Sequence, residues 1–156
     1  MSKSLARVRA ALEAAGVTSE IRETDDRART AQGAAEVVGC EVDQIAKSII
    51  FRGEESGHVI LFLTAGGNRV DAGKATLVAG QPLGKADAAQ IRAETGFAIG
   101  GVSPVGHLGR IDAYIDPRLT QFRIVWAAAG TPRHLFSIAP DELIRITGAR
   151  LAEFTA

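Results

Sequence analysis

Apolar residues recur at Leu5, Val8, Leu12 and Ala15, a spacing of three and four that lays them on one face of a helix, and Gly16 follows as a stop. "VTSEIRET" (17–24) then alternates in the manner of a short strand. Thr30 stands ahead of "AQGAAEVVG" as the N-cap of a second helix that closes near Gly39, and a third short helix is predicted through "VDQIAK" (42–47). In "SIIFRGEESGHVILFLTA" (48–65) two β-rich runs flank the polar tip Gly53–Gly57, which predicts a hairpin. "GGNRVD" interrupts the pattern, and "AGKATLVAG" and "KADAAQIRAETG" then carry helical character. Three further strands are predicted in "RIDAYID", "FRIVWAAAG" and "HLFSIA". Pro140-Asp141-Glu142 opens a last helix in "PDELIRITGA", with proline in the first turn and the acids at the positive helix end.

Helices and strands are therefore mixed, hairpins are prominent and no regular β-α-β alternation runs through the chain. The predicted fold class is α/β in the α+β sense, with a mixed sheet. No linker, low-complexity segment or repeat divides the sequence, so residues 1–156 are expected to form one domain. A chain of this length buries roughly 70% of its unfolded surface, enough for a core without covalent staples.

Composition narrows the functional classes. Eighteen Lys and Arg balance eighteen Asp and Glu, a formal net charge of zero. Proteins that wrap long nucleic acid carry a basic excess, because phosphate neutralisation dominates that affinity. DNA is thus not an expected partner, and any nucleic acid must be met locally, through a few phosphates or one end. The single Cys40 allows no internal disulfide, fits a reducing cytosol and reads as packing at a helix end. The amino-terminal stretch holds charges within its apolar stripe, which predicts neither a signal peptide nor a membrane span, and points to a cytoplasmic protein.

Familiar catalytic patterns are missing. His58, His107 and His134 are far apart and form no metal-ligand spacing, and no metal or cofactor is expected. There is no G-x-S-x-G elbow and no Walker loop. Trp126 and Phe122 alternate with Ile124 in a predicted strand and read as core. Lys47 stands where "VDQIA" meets the apolar "SIIF"; it either snorkels with its head in water or serves a pocket beside the sheet. In "TAGGNRVD", Asn68 and Arg69 cluster with Asp71 at a strand end, and Arg69 either holds an anion or pairs with Asp71.

The most unusual stretch is "FAIGGVSPVGH" (97–107). Gly100 and Gly101 permit close approach and backbone angles closed to other residues, while Pro104 stiffens the loop and drives Ser103 towards an extended conformation. A plain turn needs only one such glycine. The alternative is a backbone cradle whose N–H groups, at Gly100, Gly101, Val102 and Ser103, meet a phosphate, a carboxylate or a developing oxyanion. His107 follows the loop and reads as its support.

Lys47 at the head of "KSIIF", "AGGNRVD" after the next strand, "TGFAIGGVSPVGH" and the late "AAAGTPRHLFSIAPDELIRITGA" together resemble the YbaK and prolyl-tRNA-synthetase-associated editing domains, in the same order and from about Ser4 to Ala149. The most specific element of the resemblance is a lysine paired with a Gly-x-x-x-Pro loop, here Lys47 and Gly100 to Pro104. It implies a curved, partly barrel-like mixed sheet surrounded by helices. It also implies an aminoacyl-tRNA deacylase, without metal or cofactor, that hydrolyses the ester of a mischarged tRNA. The expected substrate is a proline tRNA carrying alanine, cysteine or serine. The implied partners are the aminoacyl-tRNA 3′ end and prolyl-tRNA synthetase. Lys47, Gly100 and Gly101 are then the catalytic positions, and Thr30, Asn68, Arg69, Val102, Ser103, Pro104 and His107 the substrate-binding ones. A binding module that captures an aminoacyl or nucleotide end without hydrolysis is the alternative. One departure bears on specificity: some family members have a serine before the late Ala-Gly, where this chain reads Ala128-Ala129-Gly130.

Overall fold

A computed structural model describes residues 2–156 of the chain. Its helices are α1 (Lys3–Ala14), α2 (Ala31–Val38), α3 (Ala72–Ala79), α4 (Ala88–Thr95) and α5 (Pro140–Thr147). Its strands are β1 (Ile21–Glu23), β2 (Ile45–Gly53), β3 (Val59–Ala65), β4 (Leu83–Lys85), β5 (Asp112–Ile115), β6 (Val125–Ala128), β7 (His134–Ile138) and β8 (Arg150–Leu151). The strands form one mixed sheet in the order β1-β7-β6-β2-β3-β5-β8, with β4 pairing to β2. The first and last strands of this order do not pair, so the sheet is not closed into a barrel.

The hairpin of β2 and β3 is the spine, in antiparallel register from Ala46↔Ala65 to Arg52↔Val59. Every residue of β3 is buried because both faces of the sheet are covered, which is why "VILFLTA" is continuously apolar instead of alternating. Val59, Leu61 and Leu63 join Leu5, Val8 and Leu12 of α1, Ile91 of α4 and Leu143 of α5 in the larger core. On the other face Ile60 and Phe62 meet Ala75 of α3 and Phe154. The Phe62 ring is surrounded by Phe51, Tyr114 and Phe154, with ring centroids 5.7, 5.4 and 5.0 Å away. A third, smaller cluster ties Ala34 and Ala35 of α2 to Ile45, Trp126 and Leu135.

The helix caps follow the sequence closely. Thr30 Oγ1 accepts from Gly33 N–H at 3.0 Å, and Gly39 closes α2 in the left-handed conformation at φ 76°. Asp71 and Asp87 cap α3 and α4 in the same way.

Three local expectations are corrected. The third helix does not run through "VDQIAK": a single 3₁₀ turn, Val42–Gln44, ends there and Ile45 already begins β2. The turn is closed by a capping box between Glu41 and Gln44, while Ile45 and Ala46 are drawn into parallel pairing with Trp126 and Ala127. Lys47 therefore lies inside a strand instead of ahead of one. Phe122 and Ile124 precede β6 instead of belonging to it, after a 3₁₀ segment over Pro117–Gln121, and Ile124 is exposed while Trp126 is buried. Among the described residues no helix is long and apolar enough to cross a membrane.

Candidate functional site

A cleft of about 450 Å³ opens along β2, where Lys47, Ser48 and Ile49 form part of its lining. One bank is the start of α2, with Thr30, Ala31 and Ala34; the other is the glycine loop, with Ile99, Gly100 and Val102. Ala128 and Leu135 line it as well, and Arg29 and Lys85 supply cations in addition to Lys47. The described lining holds no carboxylate, imidazole or thiol. Lys47, Thr30, Gly100 and Val102, four positions separated by up to 72 residues in the chain, thus share one cavity.

Lys47 is held by the turn after β3. Its Nζ donates to the Asn68 carbonyl at 2.7 Å, which leaves two of its three N–H groups for a ligand. The turn is itself fixed by buried Asp116, whose Oδ2 accepts from Ala65 N–H at 3.1 Å and Asn68 Nδ2 at 2.9 Å. Burial, and then the neighbouring Arg69 guanidinium, lower the Lys47 ammonium below the ordinary lysine range, against the pull of Asp116 and Asp43. The Asp43 carboxyl is held low chiefly by Arg118, 2.9 Å away, and it also accepts from Gly67 N–H in the same turn. Asn68 and Arg69 therefore stand beside Lys47, the first through its backbone and the second through its charge.

The glycine loop is braced from behind. Gly100 takes φ +92°, and Gly101 sits so close to Thr131 that a Cβ there would lie 2.9 Å from its Cα and carbonyl carbon. Gly101 N–H is already committed to the Ala98 carbonyl at 3.1 Å. Ser103 is fully buried, its hydroxyl accepting from Val105 N–H at 3.2 Å. Pro104 and His107, expected as substrate contacts, line a different hollow between α1 and α5 on the far side of the loop. His107 Nε2–H donates to the Ser103 carbonyl at 2.6 Å. Arg7 of α1 bridges the loop ends, donating to the carbonyls of Gly96 at 2.7 Å and Gly106 at 2.8 Å with its guanidinium over the Phe97 ring. Arg7 and Asp116 escaped sequence reading because their partners lie 89 to 99 and 48 to 51 positions away.

Burial pushes the His107 imidazole below its usual 6.5, with Arg7 adding to the effect and the Ser103 carbonyl opposing it. The unfolded chain then takes up a proton at about pH 6.5 while the fold keeps a neutral ring. This contribution to stability is complete above that pH and is lost as pH falls from there through the folded value. Urea midpoints of the wild type are expected to drop between about pH 7 and pH 5. His107→Gln, which retains a donor for Ser103, is expected to flatten that slope; an unchanged slope would remove His107 as its source.

The model of the family described as "Aminoacyl-tRNA editing domain" matches residues 25–146. The uncharacterized protein YwhH of Bacillus subtilis (strain 168) is 32% identical over 125 residues, 80% of this chain and 79% of that protein. EbsC of Enterococcus faecalis, a candidate Cys-tRNA(Pro)/Cys-tRNA(Cys) deacylase, is 25% identical over 127 residues, 81% of this chain and 77% of its own. A crystal structure of a candidate trans-editing enzyme for prolyl-tRNA synthetase superposes with a TM-score of 0.92 at 48% identity, covering 100% of this chain and 99% of the other.

Proposed function

We propose that this chain, which belongs to the aminoacyl-tRNA editing domain family, hydrolyses the ester of mischarged tRNA in trans, with a proline tRNA carrying a small amino acid as substrate. The observation that carries this reading is the meeting of Lys47 with Gly100 and Val102 on one cleft whose described ionisable lining is entirely cationic. A polyanionic tRNA end suits that charge, and a cleft for one nucleotide and one amino acid suits a chain without net charge.

In this mechanism Lys47 holds the phosphate or carbonyl region of the terminal adenosine through its two free N–H groups. The N–H groups of Gly100 and Val102, which have no hydrogen-bond partner among the described residues, donate in this mechanism to the ester carbonyl oxygen as it gains charge. Such positioned donors are worth about 10²–10³ in rate, enough for an ester that is already labile. Water attacks the carbonyl carbon, the tetrahedral adduct collapses, and the ribose oxygen leaves with a proton. Because the described lining offers no side-chain base, the vicinal ribose hydroxyl of the substrate relays that proton. The need for such editing is physical: one methylene is worth only about 1–3 kcal/mol in a synthetase pocket.

The amino-acid end of the cleft is walled by Ala31, Ala34, Ala128 and Leu135 and suits a small apolar side chain. Ala128→Ser is expected to raise turnover of seryl-tRNA relative to alanyl-tRNA by about three- to tenfold, the worth of one neutral hydrogen bond. A ratio left unchanged would place the side chain elsewhere.

The test of the reading is deacylation of a panel of tRNAs charged with alanine, cysteine, serine and proline. Loss of a small non-cognate amino acid well above the spontaneous rate, with prolyl-tRNA spared, supports it. Protection of a charged tRNA from spontaneous loss would make the chain a binding module instead.

A further inference from the structure

The edge of β2 has a gap. Gly53 N–H donates to the His58 carbonyl, so in the antiparallel hairpin the odd-numbered residues of β2 turn their main-chain groups to β3. Even-numbered residues turn theirs to the opposite edge. That edge is covered by β6 at Ile45 and Ala46, and by β4 from Phe51 to Gly53. Ser48 and Ile50 fall between the two, and of these Ser48 is the one beside Lys47. Its N–H and C=O have no strand partner, and its buried hydroxyl has no hydrogen-bond partner at all among the described residues. Ser48 also lines the cleft, next to Lys47. Two main-chain groups without a strand partner, on a half-buried residue that lines the cleft, leave an edge at which a ligand can pair.

The geometry of the gap selects that ligand. In an antiparallel pair, a residue facing the edge exchanges two bonds with the single residue opposite: its C=O accepts an N–H and its N–H donates to a C=O. An α-amino acid esterified through its carboxyl group carries that same pair, a nitrogen donor and a carbonyl two atoms further on. We propose that the aminoacyl group of the substrate docks on the open edge of β2 as a single added strand residue. Its α-ammonium donates to the Ser48 carbonyl, and its ester carbonyl accepts from Ser48 N–H. The inference rests on the deacylase reading for the identity of the substrate, but it is a statement about binding. It makes the free α-amino group the recognised feature, independently of the side chain, and it sets the ester carbonyl between the Ser48 amide and the glycine loop. This is strand addition to a sheet edge reduced to one residue.

Binding of two stable amide analogues separates this inference from the catalytic one. One is 3′-deoxyadenosine carrying an L-alanylamino group at the 3′ position, and the other carries a propionylamino group, which differs only by loss of the amine. The alanyl analogue is expected to bind at least about tenfold more tightly, as a charge-assisted hydrogen bond is worth. Ser48→Ala, which keeps both main-chain groups, should leave the preference for the alanyl analogue intact, whereas general damage to the cleft would weaken both. In the wild type, the Ser48 amide proton should shift and gain protection from exchange when the alanyl analogue binds. Equal affinity for the two analogues, an unperturbed Ser48 amide or failure of both to bind would overturn the proposal. Preference for the alanyl analogue without turnover of any ester would leave the docking mode standing and remove the hydrolase.

Discussion

Lys47→Ala is expected to lower the rate of aminoacyl-tRNA deacylation by about 10²–10³-fold, the loss of a positioned charge in a partly desolvated site. Two groups disappear together in this variant: the ammonium that faces the cleft, and the bond from Nζ to the Asn68 carbonyl. The turn holding Asn68 stays fixed by Asp116 and by Asp43, so the fold has no reason to follow the side chain. Thermal unfolding should consequently move little. Lys47→Arg should not restore the rate, since the longer planar guanidinium cannot occupy the space of an ammonium 2.7 Å from the carbonyl. If Lys47 acts on the developing charge, kcat falls more than KM rises; if it only anchors phosphate, KM carries the loss. Wild-type rates in both variants would remove Lys47 from the chemistry.

Gly101→Ala is expected to have the second-largest effect, about 10²-fold on the same rate. Gly101 does not occupy the left-handed region, so alanine meets no backbone strain there. Its methyl group would nevertheless lie 2.9 Å from the Cα and carbonyl carbon of Thr131, both backbone atoms that cannot swing aside. The loop must retreat from the Thr131 turn, and the Gly100 and Val102 amides travel with it. A displacement near one ångström is enough to cost a reaction about 10²-fold. The measurement is the deacylation rate together with a melting curve, and full activity in a folded variant would separate the loop from catalysis. Gly109 offers the contrast, with no positive φ and open space where its Cβ would lie.

Much of this arrangement is legible in the chain, for identifiable reasons. Caps are local, so Thr30, Gly39 and Pro140 mark their helix ends without knowledge of the fold. The hairpin around Gly53–Gly57 is likewise local, and its apolar strands are long. Strands β4 and β8, three and two residues long, carry no periodicity and exist because β2 and β5 offer edges to pair with. The limits of the site reading have the same origin. Lys47 and the glycine loop are visible as unusual residue types, whereas Arg7 and Asp116 are ordinary residues given their roles by distant carbonyls and amides. Ser48 is the extreme case, since its two open main-chain groups are defined by where β4 and β6 end. Pro104 and His107 were legible as part of the loop, but the sequence could not indicate that they face α1 and α5 instead of the cleft.

The most direct test is single: the first-order loss of alanine from alanylated proline tRNA with and without the wild-type protein, at substoichiometric enzyme. The deacylase account predicts multiple turnovers at a rate well above spontaneous hydrolysis. A rate equal to that of the tRNA alone, or slowed by the protein, would contradict it.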